Sequence, residues 1–71
     1  MSYESATTES LRTEDYQAEM AAAAIADAIE RVSRLDKTRD TAMAATKLDE
    51  AAMWTARHRA RVRHELDRRA P

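Results

Sequence analysis

An all-α fold, a two-helix antiparallel hairpin that assembles into a homo-oligomeric helical bundle, is predicted by three observations. The 71 residues contain no glycine, and their one proline is the last residue. Strong helix formers (Ala, Glu, Arg, Leu, Met) dominate, with few β-branched residues. Apolar residues recur at helical spacing in two stretches separated by the polar segment Leu35-Asp36-Lys37-Thr38-Arg39.

Each element follows from local chemistry. Residues 1–12, rich in Ser, Thr and Glu, read as a mobile N-terminal arm. The hairpin then occupies residues 13–71. Thr13 is the expected N-cap, since Glu14 and Asp15 then sit in the first turn, where the helix dipole favours acids. The first helix is expected over 14–35, with the stripe Ala18, Ala22, Ile25, Ile29, Val32, widened by Met20 and Ala21. Asp36 or Thr38 caps the second helix, and so short a connection joins antiparallel neighbours. The second helix is expected over 39–67. One of its stripes (Ala44, Leu48, Ala51, Thr55, Val62, Leu66) covers the first helix. Another (Met43, Lys47, Glu50, Trp54, Arg57, Arg61, with Met53 beside it) is left for another chain or a ligand.

Composition narrows the function. With three aromatic residues (Tyr3, Tyr16, Trp54) and no phenylalanine, a single hairpin buries little. Chains this small need disulfides, metal or association, and no cysteine is present, which leaves association. Without glycine, neither a phosphate-cradling loop nor a nucleophile elbow can be written. His58 and His64 miss the four-residue spacing of a helical metal pair. Asp49, Glu50 and Asp67 would need other subunits to chelate a cation. No base is placed to activate a Ser or Thr, so an enzyme is not expected, and neither is a cofactor. No apolar run is long enough for a membrane span, and the N-terminus lacks a signal-peptide pattern.

Charge is near balance, −1 overall, but segregated. Residues 1–15 carry −3 and residues 57–71 carry +4, the latter from Arg57, Arg59, Arg61, Arg63, Arg68 and Arg69. Arginine grips phosphate with a planar fork, and tryptophan offers a flat stacking face. Arg57 lies one turn after Trp54. The plainer reading buries that tryptophan at a subunit seam, with Arg57 reaching past it to solvent.

A family resemblance enters on Arg39, Thr46-Lys47-Leu48-Asp49-Glu50-Ala51, Met53-Trp54 and Arg57. This pattern resembles that of phage anti-CBASS cyclic-nucleotide sponges, small proteins whose shared unit is a helical hairpin. The resemblance covers about a quarter of the chain. It implies a non-enzymatic, homo-oligomeric binder, a hexamer being one closed form. Such a binder sequesters cyclic oligonucleotide immune signals in the cytoplasm of the infected bacterial host. It also implies ligands held between subunits, with Arg57 at the position of a pocket arginine. Another pocket of the family pairs an N-terminal tyrosine with a lysine about four helical turns later. Here that lysine's place falls in Met20–Ala24, which holds none, and neither Tyr3 nor Tyr16 stands at the expected distance. Arg12, Lys47 or Arg61 from a neighbour are the available substitutes. The ligand-binding set is therefore Arg57, Trp54, Lys47, Arg61, Tyr16, Tyr3 and Arg12. Two other readings stay open. One is an interaction module that docks on and inhibits a protein partner through Trp54 and the methionines. The other is nucleic-acid binding through residues 57–69, although long nucleic acid is not the expected ligand.

Overall fold

In the computed structural model, which describes residues 5–70, the described residues form two helices, α1 (Thr8–Ser33) and α2 (Arg39–Arg69). They lie side by side in a ribbon 50 × 19 × 15 Å, and there is no strand among the described residues. At about 1.5 Å per residue, the 31 residues of α2 run nearly its full length.

Helix α1 starts six residues earlier than its acidic first turn suggested. Thr7, not Thr13, is the N-cap: its hydroxyl accepts from the Ser10 amide at 3.0 Å, and the Ser10 hydroxyl donates back to the Thr7 carbonyl. Burial explains the correction. Leu11 is only 2% exposed, and Val62 of α2, at the same level of the hairpin, is fully buried. The last five residues of the segment read as an arm, Thr8 to Arg12, are therefore helix, and Leu11 belongs to the core. Tyr3 lies outside the described residues.

The connection needs no glycine, because no described residue takes a positive φ. Helix α1 ends at Ser33, two residues before the expected boundary, and Arg34 closes it in the right-handed region. The Lys37 ammonium donates to the Ser33 carbonyl, satisfying one of the acceptors a helix end leaves open. Thr38 then caps α2 reciprocally with Thr41: each hydroxyl accepts from the other residue's amide, at 3.2 and 2.9 Å. The Thr41 hydroxyl also donates to the Asp36 carbonyl at 2.7 Å, which ties the turn to the helix start.

The inner faces repeat every seven residues. In α1 they comprise Leu11, Asp15, Ala18, Ile25, Ile29 and Val32, and in α2 Thr41, Ala44, Leu48, Ala51, Thr55, His58, Val62, Glu65 and Arg69, all buried or half-buried. This is the pattern of a two-stranded coiled coil. Ala21, Ala22 and Met20, expected inside, are exposed: two helices in contact cover a narrower stripe than a globular core does. Among the described residues, only Leu11, Ala18 and Val62 are buried apolar residues.

Ion pairs hold the open end. Arg59 donates to Asp15 at 2.9 Å and Arg63 donates to the other oxygen of the same carboxylate at 3.1 Å, both across the helix pair. The hydrogen bond from Arg59 holds the Asp15 carboxyl below its usual range, against the opposing effect of burial. Arg68 and Arg69 fold back on Glu65, and Arg69 also donates to the Ala6 carbonyl at 2.7 Å, carrying α2 two residues past its expected end.

Two outcomes follow from this packing. Leu11→Ala should cost about 2–4 kcal/mol in urea unfolding, as for other buried leucines, whereas Met20→Ala should fall within about 0.5 kcal/mol of wild type. Equal effects would contradict the placement of Leu11 in the core. Glu65, like Asp15, is acid-sensitive: hydrogen bonds from Arg68, then from Arg69, bring its carboxyl from 4.5 down to about 2. A carboxylate with a lower pKa in the folded chain stabilises it above the unfolded value and stops doing so as the pH falls through the folded one. The thermal midpoint should therefore drop as the pH falls from 4.5 to about 2, and Glu65→Gln should flatten that drop.

Candidate ligand-binding face

Helix α2 presents Lys47, Glu50, Trp54, Arg57 and Arg61 at alternating steps of three and four residues, so they share one side of the helix. All five are exposed. The Arg57 guanidinium carbon stands 4.9 Å from the centre of the Trp54 ring, within cation–π range, and the indole is 57% exposed. The pair thus joins a flat aromatic surface to a fixed cation, and both are open to solvent.

The arginines of α2 divide into two groups. Arg59 and Arg63 hold Asp15, and Arg68 and Arg69 hold Glu65. Among the described residues, no carboxylate lies within ion-pair distance of Arg57 or Arg61. Lys47 has a loose contact with Glu50 at 3.7 Å, both side chains being more than half exposed. An exposed pair of this kind holds its cation weakly, so Lys47 too remains accessible to an anion.

Beside Trp54 runs an open cleft of about 450 Å³, bordered also by Glu14, Gln17, Ala18, Ala21, Thr55 and His58. Its floor is apolar. Its rim is polar, with Glu14 Oε1 and His58 Nε2 3.4 Å apart across the two helices. Sequence reading missed Glu14, Gln17 and His58 as neighbours of Trp54. The pair Glu14–His58 is 44 residues apart in the chain, and only the register of the hairpin brings it together.

The structure brings together Trp54 and Arg57 and aligns Lys47 and Arg61 with them. It does not bring Tyr16 or Arg12 to that place. Tyr16 is 57% exposed on α1 and borders no part of the Trp54 cleft. Arg12 lines a separate recess at the open end with Thr8, Leu66, Asp67 and Arg69. Helix α1 carries no lysine, so a tyrosine–lysine pocket cannot be built within α1. The described residues contain no cluster of His, Asp and Glu able to hold a metal ion. No helix among them is long and apolar enough to cross a membrane.

Comparison with known protein families, curated proteins and solved structures finds no match to this chain.

Proposed function

We propose that this protein is a non-enzymatic sponge that binds cyclic oligonucleotide signals between the subunits of a homo-oligomer. Sequestering such signals keeps a bacterial anti-phage effector inactive. The observation that carries this reading is the exposed Arg57–Trp54 pair, whose arginine has no carboxylate partner among the described residues. Stacking on the indole suits a nucleobase, and the free guanidinium suits the adjoining phosphate.

A cyclic di- or trinucleotide carries two or three phosphates on a compact ring with rotational symmetry. Symmetric oligomers repeat one arginine around an axis and so match such a ring. At a subunit seam these contacts are partly withdrawn from water, which strengthens each charge pair. The same side of α2 adds Lys47 and Arg61 as further cations. The resemblance of residues 39–57 to the phage sponges supports the same reading, and with it a site of action in the host cytoplasm.

A second reading rests on Trp54, Met43 and Met53, which are 57%, 52% and 42% exposed. They would serve equally as anchors on a protein partner that this chain inhibits. Long nucleic acid fits less well, because Arg59, Arg63, Arg68 and Arg69 are already engaged by carboxylates.

Thermal-shift titration with cyclic di- and trinucleotides separates these readings. A cognate ligand at a hundredfold excess over its Kd should stabilise the folded form by about 2.7 kcal/mol. Arg57→Ala should abolish the shift with the circular-dichroism spectrum unchanged, and a duplex oligonucleotide should produce no comparable shift. Absence of any shift across the panel would overturn the sponge and leave the protein-docking reading. Loss of helicity in Arg57→Ala would make that residue structural.

A further inference from the structure

Opposite the Trp54 side, α2 carries a second uncovered surface. Asp49, Ala52, Ala56, Ala60 and Arg63 follow one another at steps of three and four residues, and Ala56 lies midway in the sequence between Asp49 and Arg63. Asp49, Ala56, Ala60 and Arg63 are exposed and Ala52 is half-buried. A cleft bordered by Ala22, Thr55, Ala56, Arg59, Ala60 and Arg63 opens onto this side.

The charges on this surface are arranged as a self-complementary pair. Asp49 has no cation within ion-pair distance among the described residues. Arg63 touches Asp15 at 3.1 Å, yet its side chain remains 55% exposed, and Asp15 is independently held by Arg59. Seven residues on either side of Ala56, an unpaired acid and a half-engaged base therefore face outward. If a second α2 is laid antiparallel on the first with Ala56 against Ala56, Ala52 meets Ala60 and Asp49 meets Arg63, twice over. Alanine permits the close backbone approach that this needs.

Length and exposed area support the same occupant. The seam from Asp49 to Arg63 runs along about 21 Å of α2, well within the 50 Å length of the ribbon. The hairpin also exposes 5656 Å², about a quarter more than the roughly 4,500 Å² of a compact monomer of its mass.

We propose that this surface is a homodimer seam: two chains pack α2 on α2, antiparallel, about a two-fold axis at Ala56, with Asp49 of each chain paired to Arg63 of the other. It rests on the self-association in the function proposed above and is independent of the ligand. The seam leaves the Trp54 side free, so a dimer built this way still offers Arg57 and Trp54 to a ligand or to further subunits. An isologous contact has this form, in which each residue pairing occurs twice.

Two sets of variants of the full chain test it. In the first, sedimentation equilibrium compares wild type with Asp49→Arg, Arg63→Asp and the double exchange, circular dichroism confirming helicity. Each single reversal should weaken association at least tenfold by placing like charges together, and the double exchange should restore it to within about threefold. In the second, Ala56→Cys, which the proposed axis sets against its own copy, should oxidise to a covalent dimer, since a disulfide needs facing Cβ atoms only about 4 Å apart and alanine-lined helices approach closely. Ala23→Cys, on α1, should not. If wild type associates but neither reversal weakens it and Ala56→Cys does not cross-link, this seam is wrong while self-association stands. If wild type sediments as a monomer at every concentration, the seam and the assembly fall together. Cyclic-nucleotide binding by the thermal shift is read separately and fails or stands without affecting the seam.

Discussion

The shortage of apolar surface that two alanine-rich helices can hide from each other governs this molecule. Among the described residues Leu11, Ala18 and Val62 are the buried apolar ones, and six large apolar side chains, Trp54, Tyr16, Leu35, Met43, Met20 and Met53, stay exposed to water. Folding such a chain must meet the conformational entropy of some sixty ordered residues, at about 1 kcal/mol or more each. Caps at Thr7 and Thr38 add about 1 kcal/mol apiece, which is no substitute for a core. The association proposed above would cover further surface, and would account for the uncovered alanines on one side of the ribbon and the uncovered tryptophan on the other.

Electrostatics complements that shortage by setting register where packing is thin. Asp15 receives Arg59 and Arg63 from across the hairpin, so a slide of one helix past the other would break two hydrogen bonds to one carboxylate. Glu65 performs the corresponding task at the end of α2, drawing in Arg68 and Arg69 and bringing Arg69 to the Ala6 carbonyl. The consequence for function is selective. Four arginines of the basic C-terminal run reach carboxylates within the hairpin, and Arg57 and Arg61 are the two with no carboxylate in ion-pair distance among the described residues. A segment that reads from composition as a uniformly basic tail is thus a structural clamp with two accessible cations on a different side of the helix.

Much of the fold was legible in the sequence because helical periodicity survives in so short a chain. The stripe Ala44, Leu48, Ala51, Thr55, Val62, Leu66 does turn inward, Thr38 does cap α2, and the segment after Ser33 is the turn. The start of α1 was not legible, since Glu14 and Asp15 beside Thr13 carry the chemistry of a first turn. The competing signal was the lone Leu11, which is buried only because α2 packs against α1. Asp15 itself misled: its carboxylate serves a cross-helix ion pair, not a helix dipole. Of the candidate site, the Trp54–Arg57 contact follows from spacing within one helix and could be read directly. Glu14 and His58 join the cleft only through register, which spacing within a single helix does not reveal.

The central claim is that one hairpin is insufficient and that folding is completed by association. Its most direct test is the urea midpoint of the full chain, followed by circular dichroism over a hundredfold range of protein concentration. If association contributes to stability, the midpoint rises with concentration by mass action. A midpoint that stays fixed across that range would mean the hairpin folds alone, and would contradict the account.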